Sequence, residues 1–331
     1  MKRKTRLLLT ATLVFVSICG TSLYMSCTPK TAEDFVKRGN AYFDKDKFDM
    51  AIADFTEAIR LKPDYTDAYF LRALIYEYNA LPYEYNIDDL DKAIADYTTI
   101  IRLDPINALA YYCRAQTYHN KGDLDKAIAD YTTAILLDPN DENGAHYYRG
   151  GIYAEKGDLD KAIADYSQAI QLNPNEYFAY SGRARLYNEK GDLDKAIADY
   201  TTMIQFDFEF KSGYLQRARI YEDIGYYNSA IADYNEYLKI YPDSAKGFVG
   251  RGSAYYLNGE LDMAIVDYTK GIMLGYDYDD VYIVYGWRGL AYHEKGDYYS
   301  AIADYIEYLK HYPDDDDVKE KLEKATKGAV K

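Results

Sequence analysis

Residues that carry chemistry are scarce in this chain. Its 331 positions hold three cysteines and four histidines. Cys19 and Cys27 lie near the N-terminus, so a mature chain with Cys27 modified has only Cys113 left and no internal disulfide to form. His119, His146, His293 and His311 are spread too widely for a metal-ligand spacing. The acidic runs at Asp44–Asp49 and Asp314–Asp317 lack the spacing and the glycine of a calcium-binding loop. Gly247-x-x-Gly250-x-Gly252 resembles a phosphate loop only by eye, because it falls inside a helical stretch. No cofactor, metal or catalytic residue is expected, and the chain reads as a non-enzyme. Net positive charge is lacking too. The formal charge is −15, and a surface of that sign repels the phosphates of nucleic acid.

Charge is also missing from Leu7 to Met25, directly after the basic residues Lys2, Arg3, Lys4 and Arg6. That order reads as an export signal, and no later run could span a bilayer. Leu23-Tyr-Met-Ser-Cys27 resembles a bacterial lipobox, although its leucine lies four residues before the cysteine where three is usual. The resemblance implies removal of residues 1–26 and acylation of Cys27, leaving about −19 on the mature chain. An uncleaved anchor and simple secretion are the alternatives. Several acyl chains on Cys27 would attach the protein firmly to a membrane, whereas a single chain would be marginal.

What the chain has in abundance is repetition. Gly122-Asp-Leu-Asp-Lys-Ala-Ile-Ala-Asp-Tyr-Thr-Thr133 returns almost unchanged at Gly157 and Gly191. Aligned on its first alanine, the motif occurs eight times, at Ala51, Ala93, Ala127, Ala162, Ala196, Ala230, Ala264 and Ala301. A period near 34 residues indicates a solenoid, in which each unit buries its apolar face against its neighbours. Within one unit, Tyr111, Arg114, Ala115 and Tyr118 follow the i, i+3, i+4, i+7 spacing of a helical stripe. Gly122-Asp123 turns the chain, Ala127, Asp130, Tyr131 and Ala134 form the stripe of a second helix, and Pro139 stops it.

Tyr-x3-Ala-x2-Tyr, the Gly-Asp turn, Ala-x3-Tyr-x2-Ala and the terminal proline together resemble the tetratricopeptide repeat family. The resemblance covers about residues 32–314. It implies an all-α fold: an α-solenoid of eight helix pairs forming a right-handed superhelix, with a concave groove lined by the first helix of each pair. The expected layout is a signal at 1–26, an acylated cysteine and short linker at 27–31, eight repeats over 32–314, and a C-terminal capping helix and tail at 315–331. Two spacings depart from the period. Eight extra residues, Leu81–Asp88, fall between the helices of the second unit, and Gly275–Asp280 lengthens the exit of the seventh.

The marker alanines, the aromatic four residues later and the tyrosine column of the first helices (Tyr42, Tyr76, Tyr118, Tyr153, Tyr187, Tyr221, Tyr255, Tyr292) read as core. Two charged columns share those apolar stripes. One is Arg38, Arg72, Arg114, Arg149, Arg183, Arg217, Arg251 and Arg288; the other is Asp54, Asp96, Asp130, Asp165, Asp199, Asp233, Asp267 and Asp304. Charges facing inward need partners, so a ladder of Arg–Asp pairs is expected, within or between adjacent units. His146 occupies an aromatic column and reads as a packing histidine.

The resemblance places the partner-binding groove on the other face of the first helices, at Phe70, Leu74, Tyr112, Gln116, His119, Tyr147, Phe178, Arg185, Asn188 and Arg219. Aromatics there would hold apolar side chains, and Arg185 and Arg219 could take a carboxylate of an acidic peptide. The family's clamp for chaperone C-termini is not expected, because Val36, Leu109 and Cys113 occupy places that should be basic or polar. The expected function is a membrane-anchored scaffold for a protein or peptide partner, with envelope assembly or secretion as possible settings. A small-molecule receptor serving a transporter, with Tyr112, Tyr147 and Phe178 enclosing the ligand, is the alternative. The expected location is the bacterial cell envelope, lipid-anchored, periplasmic or at the cell surface.

Overall fold

A computed structural model describes residues 30–80, 87–206, 212–276 and 281–330. Cys27 and the export segment lie outside these residues, as do 81–86 of the first insertion and 277–280 of the second. The described residues form seventeen helices and no strand. The chain divides into two compact units, Met1–Pro105 and Ile106–Lys331.

The first unit holds two helix pairs, α1 (Ala32–Phe43) with α2 (Phe48–Leu61) and α3 (Thr66–Ala80) with α4 (Ile87–Leu103). Thr31 starts α1 through a reciprocal cap: its hydroxyl accepts from Asp34 N at 3.1 Å, and the Asp34 carboxylate accepts from Thr31 N at 3.2 Å. Ala51, Phe55, Ala58, Ala68 and Ile75 are fully buried in its core. Ile87 and Asp88 belong to α4, so the insertion between these helices is shorter than the repeat spacing implied. Isoleucine and two acids in a first turn suit a helix start better than a loop.

The second unit continues the plan with α5 (Ala108–Lys121), α6 (Leu124–Leu137), α7 (Ala145–Glu155), α8 (Leu159–Leu172), α9 (Tyr177–Glu189) and α10 (Leu193–Phe206). Then come α11 (Ser212–Asp223), α12 (Tyr227–Ile240), α13 (Ala245–Leu257), α14 (Leu261–Met273), α15 (Val281–Lys295), α16 (Tyr298–Leu309) and α17 (Asp316–Ala329). Gly122 ends α5 with φ +85°, and the turn is closed by Asp123 N donating to the Tyr118 carbonyl at 2.8 Å. The last helix seals the stack, with Val318 and Ala325 buried against Ala301 and Tyr305. Asp315 caps it by accepting from Val318 N at 3.0 Å.

Each marker alanine is fully buried, which lets the two helices of a pair approach closely. Tyr131, Tyr234 and Tyr305 are buried beside them; a side chain of this kind contributes about 1.5–3 kcal/mol when taken out of water. Gly247 and Gly250 serve the same packing, inside α13. A Cβ at Gly250 would lie 2.5 Å from Tyr234, and one at Gly247 would lie 2.7 Å from Leu238.

All eight Arg–Asp pairs form, and every one lies within a single repeat. Nε and Nη2 of each arginine donate to the two carboxylate oxygens over 2.6–2.9 Å. The aspartates are only 2–7% exposed. The remaining nitrogen reaches the preceding repeat: Arg72 Nη1 donates to Thr56, Arg149 to Thr132, Arg183 to Ser167, Arg217 to Thr201, Arg251 to Asn235 and Arg288 to Thr269, over 2.6–3.0 Å. One guanidinium therefore fastens both the pair and the stack.

The first-helix tyrosines are not deep core. They are half-buried, and most cover a guanidinium, with Arg183 lying 5.8 Å from the Tyr187 ring and 5.7 Å from Tyr180. At the Tyr180-equivalent position of the fourth repeat stands His146. Its Nδ1 is 2.9 Å from Asp141, which also accepts from His146 N, so it is a satisfied packing histidine.

Candidate functional site

In the second unit the first helices of neighbouring repeats touch each other, α7 with α9, α11 with α13 and α13 with α15, as well as touching the second helices. They therefore line the inner side of that stack. Two second-helix tyrosines of this unit send their rings into the core and their hydroxyls toward the first helices. Tyr234 Oη donates to Glu222 at 2.5 Å, and Tyr305 Oη lies 3.3 Å from His293 Nδ1. Tyr97 does the same in the first unit, donating to Glu77 at 3.1 Å. In each of these repeats a tyrosine hydroxyl thus meets a first-helix side chain, Glu222, His293 or Glu77.

The stretch over the third to fifth repeats is aromatic. Tyr112 packs edge-on against Tyr131 at 5.6 Å and Tyr148 at 5.8 Å, and burial pushes its hydroxyl far above the usual tyrosine range. It belongs to that packing and does not stand free to enclose a ligand. Tyr147 bridges from Tyr148 (5.1 Å) to Tyr166 (5.8 Å) and Phe178 (6.5 Å). Burial, aided by the neighbouring Tyr166, raises its hydroxyl to about 12. Phe178 is 47% exposed. Tyr147 and Phe178 open onto a cleft of about 420 Å³ that Gly144, Tyr148, Asn173 and Glu176 also line. Burial raises the Glu176 carboxyl there.

Beyond the aromatics the face turns cationic. Arg185 and Arg219 are exposed, and neither has a carboxylate within 4 Å among the described residues, unlike the ladder arginines two residues before each of them, Arg183 and Arg217. Both act on the same hydroxyl: burial raises the Tyr200 pKa, and Arg185 and Arg219 each pull it back. Arg185 does the same to Tyr166. Both guanidiniums therefore lie near the Tyr200 hydroxyl, and Arg219 also acts weakly on Glu222. Asn188 is exposed beside them.

Gln116 is half-exposed on this face. His119 is on it too, but its Nε2 lies 3.1 Å from Glu155 of the next repeat, so it bridges repeats. Phe70 and Leu74 lie in the first unit, where Phe70 meets Tyr97 edge-on at 5.9 Å. Sequence reasoning missed the inner face of the last repeats, where Glu222, Ser253, Tyr256, Trp287 and Leu290 project. The single tryptophan of the chain was the available signal.

Models described as tetratricopeptide repeat match residues 108–141, 144–176, 166–198, 212–244 and 282–315, and one described as TPR repeat matches 39–79. Among solved structures, the chain is similar to the C-terminal part of a TPR repeat-containing protein from Cytophaga hutchinsonii. That likeness has 19% identity and a TM-score of 0.65 over 76% of this chain and 99% of that one. A tetratricopeptide repeat protein from Parabacteroides merdae gives 22% identity and 0.52 over 76% and 96%. PilF of Pseudomonas aeruginosa gives 16% and 0.51 over 65% and 94%. At these identities the likeness carries the fold alone. No curated protein matches the sequence.

Proposed function

Because this chain belongs to the tetratricopeptide repeat family, whose fold is a protein-interaction scaffold, we propose that it is a non-enzymatic scaffold holding a partner peptide on the inner face of its second unit. The segment it takes carries a carboxylate and apolar side chains. The observation behind this reading is that Arg185 and Arg219 both lie near the Tyr200 hydroxyl with no carboxylate within 4 Å among the described residues, with the exposed ring of Phe178 on the same helix as Arg185. In so acidic a chain, two exposed arginines with no carboxylate within 4 Å among the described residues form a local cationic spot. It suits a bidentate acceptor supplied from outside.

The N-terminal order of basic residues, uncharged run and Cys27 supports a further part of the proposal. The scaffold is tethered by lipid to the bacterial cell envelope, periplasmic or at the cell surface, where assembly or secretion complexes offer partners. The receptor alternative is weakened by Tyr112, whose ring is occupied by Tyr131 and Tyr148.

Fluorescence polarisation of a labelled peptide alternating glutamate and phenylalanine tests the binding mode. Each charged hydrogen bond is worth about 1.5–3 kcal/mol, so Arg185→Ala/Arg219→Ala should weaken binding at least about tenfold. Equal affinity for wild type and double variant would refute the arginine site. Labelling cells with a radioactive fatty acid, wild type against Cys27→Ala, tests the tether: label should enter the first and not the second.

A further inference from the structure

The inner face of the last repeats has a different chemistry from the arginine stretch. Between α13 and α15, over a floor made by α14, lies a half-open pocket of about 190 Å³ lined by Ser253, Tyr256, Leu257, Tyr268, Trp287 and Leu290. At about 30 Å³ per water, it holds the volume of about six waters, enough for one long side chain and too little for a folded segment. Tyr268 and Trp287 pack against each other in it, their rings 6.3 Å apart and inclined at 40°; Tyr268 is buried, whereas Trp287 is 38% exposed.

Two carboxylates adjoin these rings. Glu294 accepts the hydroxyl hydrogen of Tyr256. Glu222, from α11, accepts from Tyr234 at 2.5 Å and lies against Ser253, and its charge reaches Tyr268 on the pocket floor. No lysine or arginine comes within 4 Å of either carboxylate among the described residues; Arg219, on the same helix as Glu222, acts on it only weakly from farther off. Glu222 therefore bears the penalty of burial with hydroxyl donors alone, and its pKa is raised. An exposed indole in a pocket that tyrosines also line, beside carboxylates with no cation within 4 Å among the described residues, describes a site for an organic cation.

We propose that this pocket takes the ammonium group of a lysine side chain carried by the partner, its methylene stem lying along Leu257 and Leu290 and its charge against the exposed ring of Trp287, toward the Tyr256–Glu294 pair. The proposal deepens the reading of the inner face as a peptide-binding surface and rests on it. It gives that surface a polarity: a carboxylate of the partner at Arg185 and Arg219, and a lysine farther along at Trp287.

Trp287 is the only tryptophan in 331 residues, so the emission of the full chain reports this pocket directly. Titration with N-acetyl-lysine N-methylamide should quench that emission saturably, and N-acetyl-norleucine N-methylamide, which has the same stem without the ammonium, should bind at least tenfold more weakly. Glu222→Gln, which keeps an acceptor for Tyr234, should weaken the lysine compound about tenfold, and Tyr256→Ala should abolish the quenching while far-UV circular dichroism stays unchanged. Equal binding of the lysine and norleucine compounds would overturn the proposal, since the pocket would then be merely apolar. Tighter binding of choline than of the lysine compound would overturn the assignment to a peptide side chain. Arg185→Ala should leave lysine quenching intact, and Tyr256→Ala should leave acidic-peptide binding intact, so failure of one site is separable from failure of the other.

Discussion

Replacing Asp199 by asparagine probes the ladder within the second unit, in the fifth of the eight repeats. Asp199 is 6% exposed and accepts from Arg183 at 2.8 and 2.7 Å. The amide keeps the shape, removes the charge and turns one acceptor into a donor facing a guanidinium N–H. Breaking a buried pair by removing one partner costs about 3–5 kcal/mol. Arg183 retains Ser167 at 2.9 Å and the rings of Tyr180 and Tyr187, and its side chain is 18% exposed, which moves the expectation to about 2–4 kcal/mol. With a urea m-value of about 1–3 kcal/mol/M, the midpoint followed by circular dichroism should fall by about 1 M or more. Asp192→Asn is the control, because its pair with Lys195 at 2.9 Å is exposed, and the midpoint should not move. Unfolding of a repeat array need not be two-state, so the comparison is of midpoints under one protocol. An Asp199→Asn midpoint equal to wild type would refute the ladder as a structural fastening.

Further outcomes follow from other particulars of the structure. Gly250→Ala places a methyl group 2.5 Å from Tyr234 and should destabilise by about 1–3 kcal/mol in the same urea assay. The carboxyl of Glu222 is raised by burial, so over the pH window between its unfolded value, about 4.3, and its higher folded value the unfolded chain has released a proton that the folded chain still holds. Stability from this residue is therefore lost as pH rises through that window. The advantage of Glu222→Gln over wild type should be larger at pH 7 than at pH 4; a constant difference would show that Glu222 bears no burial penalty. Deleting residues 316–331 uncovers Ala301 and Tyr305 and should lower the thermal midpoint and raise binding of a hydrophobic dye.

The parts of this fold that repeat were legible in the sequence. Eight marker alanines and two charged columns in strict register specify helix pairs and paired charges, because an inward charge has few places to go. Which repeat supplies the partner was not legible, since an arginine reaches both ways; the carboxylate is in its own repeat and the hydroxyl in the one before. The candidate site was legible only in part. Arg185 and Arg219 stood out, whereas Tyr112 and His119 looked available by position and are committed to Tyr148 and Glu155. Those commitments depend on the neighbouring repeat's side chains. Glu222, Tyr256 and Trp287 escaped notice because their environment is assembled from α11, α13, α14 and α15 and has no local motif.

The most direct test of the account places a photo-crosslinking amino acid on each side of α9–α10 in cells. At Asn188, on the inner face beside Arg185 and Arg219, it should form an adduct that added acidic-aromatic peptide displaces. At Ala198, exposed on α10, it should not. A displaceable adduct at position 198 with none at 188 would contradict the assignment of binding to the inner face.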